Sequence, residues 1–179
     1  MMNAKEELAN YRQLVAKVDE LCGHVTEAFR QNIACRPGCI SCCRHLSLFP
    51  VEAVAVAYAL RELSPAQAAR IHEKAQHASP DDPCPLLDDD LCLLYDARPL
   101  ICRTHGLPIM TCEGDKQHVD FCPMNFQGID SLPGQAIINV DRLNAALIAI
   151  NALFVSHAAV NSLDGRGRLT LAEALLLDL

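Results

Sequence analysis

Cys35-Arg36-Pro37-Gly38-Cys39-Ile40-Ser41-Cys42-Cys43 puts four thiols into nine residues of a 179-residue chain. Pro37 and Gly38 let the backbone turn sharply, so that N–H groups can point at sulfur. A helix starting at Pro37 would set Cys39, Cys42 and Cys43 on one face, where the helix dipole favours the thiolate. The vicinal pair is informative. Adjacent side chains diverge by roughly a hundred degrees on a helix and by more on a strand. Cys42 and Cys43 therefore suit two different metal atoms better than one, or else one of them is a ligand and the other an outer-shell thiol.

A second group of thiols follows some forty residues on, in Cys84-Pro85-Leu86-Leu87 and Cys92-Leu93-Leu94-Tyr95-Asp96-Ala97-Arg98-Pro99-Leu100-Ile101-Cys102-Arg103, then Cys112 and Cys122-Pro123. The prolines beside Cys84 and Cys122 fix the backbone where a ligand has to point. Residues 80–134 hold five cysteines, seven prolines and few periodic runs, so they read as loop-rich with short helical turns. Such a segment buries too little surface to order itself, and a metal cross-link supplies the missing constraint.

The order Cys-x3-Cys-x2-Cys-Cys, Cys-Pro-x-Leu, Cys-x2-Tyr-x2-Arg-Pro-x2-Cys-Arg resembles the YkgJ-like cysteine cluster family, also described as a zinc- or iron-chelating domain. The resemblance runs from about Cys35 to Phe126. Carried over residue by residue, it implies Cys35, Cys39, Cys42, Cys43, Cys84, Cys92, Cys102 and Cys122 as metal ligands. Cys112 has no counterpart. One branch of the family resembles flagellin lysine N-methylases, so the resemblance implies a metal site more than a reaction.

Eight thiols fill two tetrahedral four-cysteine zinc sites, two 4Fe-4S clusters, or one of each. Thiolate ligands suit both metals; the vicinal pair and the crowding of sulfur favour iron–sulfur. Cys35-x3-Cys39-x2-Cys42 also has the spacing of radical S-adenosylmethionine enzymes. That barrel needs repeated strand–helix units, which this chain lacks. Three functions follow from the thiols. The first is a metal-binding module without catalysis of its own. The second is an iron–sulfur enzyme for electron transfer or methylase-like methyl transfer, although no Gly-rich nucleotide loop is present. The third is a thiol redox protein, which requires exposed cysteines of low pKa.

Composition bounds the rest. Hydrophobic residues make up 51% and aromatics 4%, with no Trp, so the core has to be built from Leu, Ala, Ile and Val. A net charge of -7 argues against a nucleic-acid binder with a broad basic face. The first residues, Met1-Met2-Asn3-Ala4-Lys5-Glu6-Glu7, lack the apolar core of a signal peptide. The apolar stretch from Leu143 carries Asn144, Asn151, Ser156 and His157 and makes a poor membrane span. Metal ions are the expected partners, no membrane is expected, and no protein partner is indicated. The expected compartment is the reducing cytoplasm, where stable disulfides are uncommon.

The expected fold is mainly α. It is a small helical bundle in one domain, residues 1–179, whose cysteine-rich metal-binding segment spans about 33–126. Helices are predicted from about Lys5 to Arg30, with Cys22 as a core residue, from Pro50 to Leu63, and from Pro65 to Ala78 behind a Ser64/Gln67 capping box. Two more run from Asn139 to Ser162 and behind a Thr170/Glu173 box. Arg36, Arg44, Arg98 and Arg103 read as support for thiolate charge or as turn anchors, with a small basic pocket as the alternative. His45 and His105 are alternative ligands. Tyr95 packs against the cluster. Asp88-Asp89-Asp90 is a solvated turn without the spaced oxygens of a calcium loop.

Overall fold

The computed structural model describes residues 7–157, 163 and 167–179. Helix α1 (Ala9–Ala28) forms because Tyr11, Leu14, Val18, Cys22 and Val25 recur at the three/four spacing that buries one face. Leu21 falls off that arc and faces solvent. Cys22 is a buried core residue, as its place on the stripe predicts. After the thiol-rich stretch, strand β1 (Ser47–Leu48) leads into α2 (Pro50–Arg61), the central helix. Pro50 opens α2, and Glu52 accepts the orphan Phe49 N–H at 3.2 Å. From Pro50 to Leu60 most of α2 is buried, consistent with a run of Val and Ala that has no polar face. Helix α3 (Pro65–His77) starts at the reciprocal Ser64/Gln67 box and turns Ile71 and Ala75 inward.

The middle of the chain departs from expectation. Strands β2 (Leu87–Asp88) and β3 (Leu91–Cys92) form a tight hairpin. Its loop residues, Asp89 and Asp90, both have positive φ, the signature of a type I′ turn. Helix α4 (Leu100–Thr104) follows. Strands β4 (Ile109–Glu113) and β5 (Lys116–Asp120) form a longer hairpin around Gly114-Asp115, with Gly114 at φ +60 as a type II′ turn requires. Strand β6 (Ile138–Asn139) joins β4 in parallel. Helix α5 (Val140–His157) then packs on α1 and α2. Strand β7 (Leu169–Thr170) pairs antiparallel with β1, and α6 (Leu171–Leu175) packs on α2 and α3 behind the Thr170/Glu173 box. The end of the helix predicted to reach Ser162, and the start of the one predicted from Lys5, lie outside the described residues.

The expectation of a mainly α small bundle is therefore corrected. Helix is the largest part, but three small sheets make the fold mixed α/β. The strands escape a periodicity reading for physical reasons. Several are two residues long, too short to show alternation. Every residue of β5 is exposed, so that strand has no buried face to mark.

Candidate metal centre

The stretch Cys35–Cys43 is not a helix start. It is two successive turns, closed by Cys39 N–H donating to Arg36 C=O and Cys43 N–H donating to Ile40 C=O. Pro37 and Gly38, the latter at φ +84, fill the middle of the first turn as a type II turn prefers. The chain leaves the second turn through an isolated antiparallel bridge between Arg44 and Pro83. That bridge sets Cys43 and Cys84 next to each other in register.

From Cys84 the chain turns again, with Leu87 N–H donating to Cys84 C=O, into the β2–β3 hairpin that carries Cys92 opposite Leu87. Cys102 lies on α4, and its neighbour Arg103 clamps that helix to the preceding turn. Arg103 Nε donates to Arg98 C=O at 3.0 Å and Nη2 to Asp96 C=O at 2.7 Å, while Nη1 pairs with Asp19 of α1. Burial raises the Cys102 thiol pKa, and the thiols of Cys84, Cys92 and Cys43 raise it further. Burial pushes Cys84 up to about 12, with Cys92 and Cys43 adding to the effect. Burial also raises Cys43, Cys92 and Cys39 add to it, and a hydrogen bond with Cys42 opposes it. Cys43, Cys84, Cys92 and Cys102 thus all lie within electrostatic reach of one another.

The remaining candidates gather around Asn125 and Gly106. Asn125 is buried. Its Oδ1 accepts from Ala34 N–H at 2.8 Å, and its Nδ2 donates to Gly106 C=O at 2.6 Å and to Cys35 Sγ at 3.3 Å. Cys122 N–H donates to the same Gly106 carbonyl. Gly106 sits at φ +85, where a Cβ would lie 2.8 Å from Cys35 Sγ and 3.8 Å from Cys122 Cβ. Only glycine fits this approach. Cys42 feels burial first, then Cys43, Cys35 and Cys39, all raising its pKa. Cys35, Cys39 and Cys42 thus lie within electrostatic reach of one another, Cys122 joins them at Cys35 through Gly106, and Cys39 and Cys42 also reach Cys43. Cys35 and Cys39 are exposed, and the other six candidates are half-buried.

Among the described residues, no three His, Cys, Asp or Glu side chains are drawn up as they stand to hold an ion. The thiols share neighbourhoods rather than a ready ligand shell. The donor set nevertheless fits a thiophilic metal. The neighbourhoods contain soft sulfur, a buried amide N–H aimed at the Cys35 sulfur, and a glycine cradle that admits the same atom.

Two neighbouring expectations change. His45 is not free to ligate, because Nδ1 bonds Ser79 C=O at 3.0 Å and Nε2 accepts Ala172 N–H at 3.1 Å. Tyr95 does not pack on the thiols. It is exposed, with the Arg98 guanidinium 3.9 Å from its ring centroid, and Arg98 Nη1 bonds Tyr95 C=O. Arg103, rather than Arg98, has a carboxylate partner, Asp19. Burial lowers the His105 pKa, which leaves a neutral imidazole at neutral pH. Cys112 is exposed on β4, where its N–H donates to Asp141, and belongs to neither neighbourhood. Asn125, Gly106 and the Arg103–Asp19 pair carry no signal in the motif spacing.

A cysteine-rich centre spread over two chain segments defines a metal-chelating class of domain. The chain belongs to the CxxCxxCC family, whose model is described as "Putative zinc- or iron-chelating domain" and matches residues 34–123. Zinc or iron, the latter including iron–sulfur, is accordingly the metal class. No curated protein and no solved structure matches the chain. Among the described residues, no helix is long and apolar enough to cross a membrane.

Proposed function

We propose that the chain chelates its metal through Cys35, Cys39, Cys42, Cys43, Cys84, Cys92, Cys102 and Cys122, as a single domain in the reducing cytoplasm, with iron–sulfur favoured over zinc. The observation that carries this reading is the Arg44–Pro83 bridge, which sets the first thiol group against the second. The metal would staple the loop-rich middle of the chain to the first turns and add its binding free energy to folding. The crowding of thiols and the vicinal pair support 4Fe-4S clusters over isolated zinc ions.

The chain's own residues do identifiable work. Asn125 Nδ2–H stabilises charge on Cys35 sulfur, and Gly106 admits that sulfur to the backbone. Ligation has to displace protons that burial holds on Cys84 and Cys102, so metal uptake releases protons and strengthens as pH rises.

The competing readings have less support. A thiol redox protein needs exposed thiols of depressed pKa, and burial takes Cys84, Cys92 and Cys102 out of that role. An enzyme needs room for a substrate. A cavity of about 30 Å³ lined by Glu52, Leu100, Thr104, Leu147 and Arg168 has none of the eight thiols in its wall. Anaerobic purification with elemental analysis and a visible spectrum tests the proposal. Iron with acid-labile sulfide is the expected result. Zinc alone would overturn the iron–sulfur preference, and protein that takes up neither metal would overturn chelation.

A further inference from the structure

We infer that the eight thiols make two separate four-thiol metal sites of different exposure: an inner one of Cys43, Cys84, Cys92 and Cys102, and an outer one of Cys35, Cys39, Cys42 and Cys122. This rests on the chelation reading above. The backbone draws the division. The Arg44–Pro83 bridge faces Cys43 toward Cys84. The turn from Cys84 to Leu87 and the β2–β3 pairing return Cys92 to the same side. The Arg103 clamp then brings α4, with Cys102, against the turn that follows Cys92. On the other side, one buried amide and one glycine hold Cys35 and Cys122 together. Cys39 and Cys42 lie on the turns between Arg36 and Cys43. The boundary passes between Cys42 and Cys43, whose side chains must diverge because they are adjacent.

Exposure differs at the edges: the two fully exposed thiols both fall in the outer set, whose Cys42 and Cys122 are half-buried like the inner four. Cys84 and Cys92 pack against the hydrophobic core, and Cys102 is half-buried. Cys35 and Cys39 are exposed. An ion held by the inner thiols staples three chain segments under cover. An ion held by the outer thiols is open to competing ligands. The inner site is therefore structural and the outer site exchangeable. Each four-thiolate set has the donor number of a tetrahedral zinc site or of one 4Fe-4S cluster.

The test uses the full chain purified anaerobically, with metal per chain measured for the wild type and for C122S, C42S and C43S, and a timed challenge with a chelator. Wild-type protein is expected to lose half its metal before the other half. C122S and C42S are expected to retain half the wild-type metal, to lack the early phase of loss, and to melt close to wild type. C43S is expected to give up the inner metal and to melt well below C42S, or not to fold. Retention of all or none of the metal by C122S and C42S would overturn the inference, as would identical behaviour of C42S and C43S. Wild type that binds no metal would instead defeat the chelation reading, and this inference with it.

Discussion

Asn125 joins three segments with one amide, accepting from Ala34 N–H and donating to Gly106 C=O and Cys35 Sγ. Replacing it with Ala leaves Ala34 N–H unpaired in a part-buried site and the Gly106 carbonyl with Cys122 N–H alone. The expected cost is about 1–3 kcal/mol, read as a lower urea midpoint, with reduced metal content. Asp is expected to do no better, because it turns a carboxylate oxygen onto a carbonyl and a thiolate. Glu52 has a comparable role in the core, where it accepts Phe49 N–H at 3.2 Å and Leu100 N–H at 3.0 Å. Glu52→Ala is expected to cost about 3 kcal/mol by the same measurement, because two donors lose their acceptor. The thiols were legible in the sequence because cysteine announces its chemistry and its spacing is local. Asn125 and Gly106 were not, because their partners lie up to 91 residues away and nothing nearby marks them.

Among the elements, the helix starts were the most readable. Ser64/Gln67 and Thr170/Glu173 each satisfy donors within four residues, so tertiary context has little to alter. The sheets were unreadable for the opposite reason. The partner of β1 lies more than a hundred residues on, at β7, and the pairing is two residues long. The turn glycine of the β4–β5 hairpin is the only local mark of strands whose faces are largely solvated. His45 belongs at this scale because it ties the chain after the thiol-rich turns to the Ser79 loop and to the first turn of α6. His45→Ala is expected to destabilise the protein by about 1–2 kcal/mol in chemical denaturation and to leave metal content unchanged. A loss of metal in step with the thiol variants would mark His45 as a ligand after all.

For the molecule as a whole, the buried thiols set a pH dependence in the metal-free state. Burial raises Cys22 to about 11 and Cys84 to about 12 in the folded chain, whereas in the unfolded chain both titrate near 9. Below pH 9 both states hold these protons and stability is unaffected. As pH rises toward 11 and 12, the unfolded chain releases protons that the folded chain keeps, and stability falls. Chelator-treated protein is therefore expected to lose stability progressively above pH 9 in urea titrations, and Cys22→Ala to remove part of that slope without changing metal content. The core meanwhile depends on a late addition. Helix α6 covers α2 and α3, and β1 has its partner only in β7. Both follow all ten cysteines in the chain. During synthesis every sulfur emerges from the ribosome before the pieces that close the hydrophobic interior. The thiols are therefore open to metal or oxidant while the nascent chain is still unclosed.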